Sequence, residues 1–231
     1  MSSIDKLKLS NINGFYINLE IRKDRMMHVE KELKEMGMSS IQRFNAVKTS
    51  DGAVGCSVSH IACLKKARSN KWDYVLICED DIHFLNKSLF KEQYEKFINS
   101  DIDWDVLLIA GNVVGPYKEV EDFCVKVSLC QTTTGYIVKK SYYDTLIENI
   151  SKGVNELIKK NDPRIYAIDQ YWFKLQQKDN WYLITPLTIT QKTDYSNIEH
   201  RIVKYDAVML NLNKPAIFKN DPELFLSTFS P

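Results

Sequence analysis

Apolar side chains recur along this chain with two alternating periods, and the alternation predicts its architecture. Residues 14–19, Gly-Phe-Tyr-Ile-Asn-Leu, run almost without a polar break between turn-forming neighbours, which predicts a short buried first strand. From Arg25 the apolar positions Met26, Val29, Leu33 and Met36 follow helical spacing, with Asp24 as a cap and Gly37 as a stop. A second helix is expected to begin near Ser57 and to carry Val58, Ile61, Ala62 and Leu64, after which residues 74–78, Tyr-Val-Leu-Ile-Cys, form a wholly apolar strand. The series continues with a helix over 90–97, strands at 106–110 and 124–128, and a strand at 136–138 leading into a helix from Ser141. Beyond Lys160 the pattern loosens into a helix over 167–176, a strand over 181–184 and a polar stretch from Gln191 to Arg201. Such alternation predicts an α/β fold: a mixed, mostly parallel sheet with helices on both faces.

Composition narrows the picture. With 231 residues, 44% of them hydrophobic, the chain can bury one full-sized core and is too short for two. Its 31 basic and 30 acidic side chains nearly cancel, so no global field favours nucleic acid. The five cysteines are odd in number, lack CxxC pairing and sit mostly in apolar runs, which points to a reducing compartment and away from a zinc cluster. The N-terminal segment has no apolar signal core, and no run of about 18 apolar residues is present to span a bilayer. The expectation is a soluble, cytoplasmic protein without a transmembrane segment.

The most informative chemistry lies directly after the strand at 74–78, where Glu79, Asp80 and Asp81 follow one another. In an open α/β sheet, ligands gather at the carboxyl ends of strands. Three adjacent carboxylates repel one another unless a cation or hydrogen-bond donors offset the charge, and a hard ion such as Mg²⁺ or Mn²⁺ would do so while leaving coordination positions for phosphate oxygens. Two alternatives stand beside this: a solvated acidic turn, and a phosphoaspartate centre. The second is weakened by the absence of a DxDxT sequence.

Several segments together carry a family resemblance. Phe15-Tyr16-Ile17-Asn18-Leu19 with Arg22 and Arg25, then Phe44-Asn45-Ala46-Val47, Gly55-Cys56-Ser57-Val58-Ser59-His60 and Glu79-Asp80-Asp81 resemble, in order and spacing, glycosyltransferase family 25. That group includes lipooligosaccharide and collagen-type galactosyltransferases. The resemblance covers roughly the first 85 residues, with a later echo in Thr133-Thr134-Gly135-Tyr136, Ile168-Asp169-Gln170 and Gln191. It implies a GT-A type nucleotide-sugar-binding fold, with a donor-nucleotide-binding half over 1–112 and an acceptor-binding half and tail over 113–231. It also implies a UDP-sugar donor, Mn²⁺ or Mg²⁺, a glycan or glycosylated acceptor, and transfer of a hexose, galactose or glucose, with inversion.

Residue roles follow from that resemblance. Asp81 and Glu79 would hold the metal, with Asp80 joining them against the donor diphosphate. Asn18, Leu19, Arg22 and Arg25 follow the first strand, where GT-A folds hold base and ribose, and a guanidinium can grip phosphate with two prongs. Ser57 and His60, placed at the start of the second helix, would favour an anion through its terminal amides. Gly135 and Tyr136 would line the donor sugar. Asp169 is the candidate base for the attacking hydroxyl, with an N-cap as its alternative role. In the polar tail, Asp194 and His200 are further candidates, His200 as a metal ligand.

Overall fold

In a computed structural model, which describes residues 2–195 and 201–214, the first apolar run becomes strand β1 (Gly14–Asn18) behind a short helix α1 (Ser3–Leu7). Helix α2 (Lys23–Met36) stops at Gly37, whose φ of 76° suits a residue without a Cβ. It is followed by β2 (Ile41–Asn45), α3 (Gly52–Ser69), β3 (Tyr74–Glu79), β4 (Ile82–Phe84) and α4 (Lys87–Ile98). The middle of the chain gives β5 (Val106–Val113), β6 (Tyr117–Glu121), β7 (Cys124–Val127), β8 (Cys130–Lys139) and the long helix α5 (Tyr143–Lys160). Three short helices, α6 (Pro163–Tyr166), α7 (Ile168–Tyr171) and α8 (Phe173–Lys178), lead to β9 (Trp181–Ile184). Then come β10 (Ile189–Gln191), β11 (Asp194–Tyr195), β12 (Ile202–Val203) and α9 (Asp206–Met209).

Eight strands form one sheet in the order β2-β1-β3-β8-β5-β9-β7-β6. β1 pairs in parallel with β2 and β3, and β5 with β9, while β8 and β7 run against the other six. The mixed, mostly parallel α/β architecture expected from the apolar pattern is present. Register then decides where side chains collect. Ile17 lies opposite Glu79 and Asn18 opposite Asn45, so β2, β1 and β3 end level with one another. Because β8 enters antiparallel, with Gly135 opposite Cys78, Thr133 and Thr134 fall at that same edge.

Helices cover both faces. On one, Leu7, Val29, Leu33, Phe90, Tyr94 and Met209 pack from α1, α2, α4 and α9 against Tyr16, Leu76 and Ile137. On the other, Cys63, Leu64, Leu146, Ile150 and Trp172 pack from α3, α5 and the segment after α7 against Phe15, Ile77 and Tyr136. Trp172 and Trp181, both fully buried, meet edge to face at 5.2 Å. No helix among the described residues is long and apolar enough to cross a membrane, and all five cysteines are free thiols.

Four sequence expectations need correction. Helix α2 starts at Lys23, before Asp24, and Asp24 pairs with Arg22 in its first turn instead of capping it. Helix α3 starts at Gly52, capped by Asp51, whose side chain accepts from Ala53 N at 2.8 Å and Val54 N at 3.2 Å. The continuous helix expected over 167–176 is broken into pieces: Ala167, at ψ 152°, separates α6 from α7, and α8 begins anew at Phe173. Strand β8 begins at Cys130, six residues before Tyr136, because its first half pairs with the far end of β5 across bulges.

Candidate active site

The level ends of β1 and β3 put Asn18 beside the acidic triplet. Asn18 Nδ2 donates to Asp80 Oδ2 at 2.7 Å, and Arg43 Nε from β2 donates to Asn18 Oδ1 at 3.0 Å. Arg25 reaches in from α2: Nη1 donates to Asp80 Oδ1 at 3.0 Å and to Asp81 Oδ2 at 2.9 Å. The tail closes the group, since Asp194 Oδ2 accepts from Arg25 Nε at 3.2 Å and also from Arg22 Nη2. The Tyr195 carbonyl accepts from both arginines. Leu19 contributes backbone, its carbonyl accepting from Arg22 N at 2.9 Å in the turn between β1 and α2.

Glu79 faces a different set. Thr133 Oγ1 donates to Glu79 Oε1 at 2.6 Å, Gln191 Nε2 to Oε2 at 3.4 Å, and Cys56 Sγ approaches Oε1 at 3.6 Å. His60 Nε2 lies 3.6 Å from Oε1, an electrostatic contact that is too long for a good hydrogen bond. Burial pushes the Glu79 carboxyl up, but His60, Thr133 and Cys56 together hold it below the usual carboxylate range. Both Glu79 oxygens are therefore engaged.

Asp81 is the reverse. Burial, reinforced by the neighbouring Glu79 charge, outweighs Arg25 and pushes its carboxyl up to about 8. Its Oδ2 is taken by Arg25, yet Oδ1 is buried without a hydrogen-bond partner among the described residues. A buried polar atom left this way is costly unless a ligand completes it. Asp80 is likewise raised by burial against the pull of Arg25, and both its oxygens are engaged. A hard divalent ion fits this donor set at Asp81, with one free carboxylate oxygen inside a strongly acidic group. Cys56, His60 and Glu79 also bring ligand atoms within 4.8 Å of one another, but burial holds the Cys56 thiol well above its ordinary pKa and Glu79 Oε1 already serves Thr133.

Asp169 sits in the first turn of α7, and its Oδ2 accepts from Thr132 N at 3.1 Å. It therefore ties α7 to the left-handed Thr132, φ 71°, and does not cap its own helix, whose N-cap position is held by Ala167. Burial raises its carboxyl, with Glu79 adding to the shift.

Four expected site residues lie beneath the surface. Ser57 and His60 are fully buried within α3, past its N-terminus, so the terminal-amide role assigned to them is wrong. Ser57 Oγ donates to the Ala53 carbonyl at 2.8 Å, and His60 Nδ1 bonds Tyr136 Oη at 2.7 Å. Tyr136 is itself fully buried, and a Cβ on Gly135 would meet Ile109 Cγ1 at 2.8 Å, so this pair packs under the carboxylates instead of lining open space. His200 lies outside the described residues. Sequence reasoning passed over Arg43, Cys56 and Thr133 as site residues. Thr133 and Cys56 stood in the motifs that carried the resemblance, whereas nothing marked Arg43.

A family model described as glycosyltransferase family 25 (LPS biosynthesis protein) matches residues 48–214. The chain belongs to glycosyltransferase family 25. The matched span takes in α3, the acidic triplet, Thr133, Asp169 and Gln191, and begins after β1, so Asn18, Arg22 and Arg25 lie outside it. A candidate glycosyltransferase of Haemophilus influenzae is 30% identical over 156 residues, covering 63% of this chain and 49% of its own length. The chain thus spans about half the length of that relative. Among solved structures, A197 from STIV aligns over 86% of this chain and 94% of its own at 13% identity, TM-score 0.45. A glycosyltransferase involved in glycosylation of the major capsid of PBCV-1 aligns over 74% and 92% at 9% identity, TM-score 0.43. UDP-glucose pyrophosphorylase, complexed with UDP-glucose, aligns over 79% and 76% at 8% identity, TM-score 0.46.

Proposed function

We propose that this family 25 chain is a GT-A type enzyme. It moves a hexose, galactose or glucose, from a UDP-sugar to a hydroxyl of a glycan or glycosylated acceptor, with inversion. The observation that carries the proposal is Asp81 Oδ1, a buried carboxylate oxygen at the carboxyl edge of the sheet with no hydrogen-bond partner among the described residues. Residues 1–112 are assigned to the donor and 113–231 to the acceptor, with β8 supplying Thr133 to the shared edge.

Asp81 would hold Mn²⁺ or Mg²⁺, with Asp80 and Glu79 adding to the acidic field. When bound, such an ion offsets negative charge on a departing diphosphate. The chain's own residues do the rest. Arg22 and Arg25, clustered with Asp194, present guanidinium donors suited to diphosphate oxygens. Glu79, fixed by Thr133 and Gln191, keeps the end of β3 in place. Asp169 accepts the proton of the acceptor hydroxyl as it attacks the anomeric carbon from the face opposite the leaving group. Its raised pKa brings it closer to the range in which a general base works best.

The test is turnover of UDP-galactose and UDP-glucose by the full chain, with and without Mn²⁺. Release of UDP that depends on the cation supports the proposal. UDP binding without release or transfer from any common UDP-sugar would leave a nucleotide-binding domain of the same fold.

A further inference from the structure

A second group of ligating side chains lies between α2 and β4, just past the acidic turn in sequence, and nothing in the proposed reaction uses it. His28 and Glu32 are four residues apart on α2 and so share one helix face. His83 reaches them from the middle of β4, which is held by pairing with β10, His83 opposite Thr190. One ring nitrogen from each histidine and one oxygen of Glu32 lie within 4.8 Å of one another.

Three details go beyond proximity. His83 Nδ1 stands 3.3 Å from Glu32 Oε1, the spacing of two ligands on a tetrahedral ion with bonds of about 2.0 Å. Glu32, only 5% exposed, uses Oε2 for Phe84 N at 3.1 Å and Lys87 Nζ at 3.1 Å, which leaves Oε1 turned towards His83. The third detail is the His28 ring, held by a bond from Nε2 to the Ile82 carbonyl at 2.9 Å. Metal-ligating histidines are oriented by such backbone partners, with the other nitrogen kept free of its proton.

We propose that His28, Glu32 and His83 form a zinc-type site that ties α2 to β4. Two imidazoles and one carboxylate suit a borderline divalent ion and leave a fourth position for water. The site differs in kind from the all-oxygen group at Asp81. Because β4 begins directly after Asp81, an ion here would brace the acidic turn through that strand. The inference rests on this geometry alone and stands whether or not the chain transfers sugar.

The experiment uses the untagged full chain, stripped with chelator and titrated with Co²⁺ as the spectroscopic probe and Zn²⁺ as its competitor. The expected result is a visible ligand-field band saturating near one equivalent, displaced by Zn²⁺, and a higher Tm with Zn²⁺. The band should persist in Asp81→Asn and in Cys56→Ser. In His83→Ala and in Glu32→Gln the affinity should fall at least tenfold and the Zn²⁺-dependent rise in Tm should vanish. His83 has a 38% exposed side chain and Gln keeps the shape of Glu32, so circular dichroism in chelator should match the wild type. A wild-type chain without the band would overturn the proposal. So would an undiminished band in His83→Ala, or one lost in Asp81→Asn or Cys56→Ser, which would move the ion to the acidic edge.

Discussion

Arg25 Nη1 donates to Asp81 Oδ2 at 2.9 Å from a side chain that is only 11% exposed. The same guanidinium reaches Asp80 and Asp194, so one cation holds together the end of β3, helix α2 and the tail. Its removal would strand several partly buried carboxylates. Breaking a buried pair by deleting one partner costs about 3–5 kcal/mol. Arg25→Met, which keeps length without charge, should therefore lose about that much in urea unfolding. Added Mn²⁺ should return part of it by supplying positive charge at the same oxygens, and wild-type stability in this variant would refute the account.

The raised Asp81 carboxyl sets a pH dependence whose sign can be worked out. An unfolded aspartate releases its proton near about 3.9, whereas in the fold burial and the Glu79 charge hold that proton to about 8. Between these values the native state binds more protons than the unfolded chain, so this group's contribution to stability falls as pH rises and levels off above about 8. Asp80 and Asp169 are shifted the same way, and Glu79 and Asp194 the other. The comparison must therefore be made against Asp81→Asn. Thermal unfolding across the window should show a steeper loss of Tm in the wild type than in the variant. Without nucleotide, Mn²⁺ affinity should also rise about tenfold per pH unit below the Asp81 pKa, since the ion competes with the proton.

Tyr136 and His60 form a buried polar column under the carboxylates, with Tyr136 Oη 2.7 Å from His60 Nδ1 and their rings stacked at 5.6 Å. Tyr136→Phe keeps the ring and leaves the histidine nitrogen without a partner. Loss of a partner from a buried polar group costs about 1–3 kcal/mol. Chemical denaturation should register a loss of that size, while UDP binding changes little because the ring never reaches the site. A large loss of UDP affinity with unchanged stability would instead place Tyr136 in direct contact with donor.

What could be read from the sequence depended on how sharply each feature was bounded. The run at 74–78 ends abruptly in Glu79, Asp80 and Asp81, so both the strand and the position of its charges were legible. The start of α3 was not, because Gly52 and Gly55 interrupt the apolar rhythm and the signal sits in the cap, Asp51. Edge strand β2 was missed because Gln42, Arg43 and Asn45 are exposed and break the apolar run, and Arg43 was lost with it. Tyr136 shows another limit: a tyrosine after Gly135 reads the same whether it faces a sugar or the core, and only the closeness of α3 to β8 decides. The partnership of Arg25 with Asp194 spans 169 residues and follows from the path of the tail.

Asp169 is the residue whose role chemistry can separate most cleanly from structure. Its Oδ2 anchors Thr132 N, and that positioning role alone would make any substitution that removes the acceptor oxygen harmful. Asp169→Asn keeps an oxygen acceptor for the Thr132 amide and removes only the basicity. As a general base, the residue should be worth about 10²- to 10⁴-fold, so kcat should fall by about that factor while the donor KM and the Tm stay near wild type. The acid limb of the wild-type pH–rate profile, set by a carboxyl that burial has raised, should disappear from the residual activity. Were the residue only an anchor, Asn would turn over normally and Asp169→Ala would lower stability and activity together. Normal turnover in Asp169→Asn would place the base elsewhere along this edge.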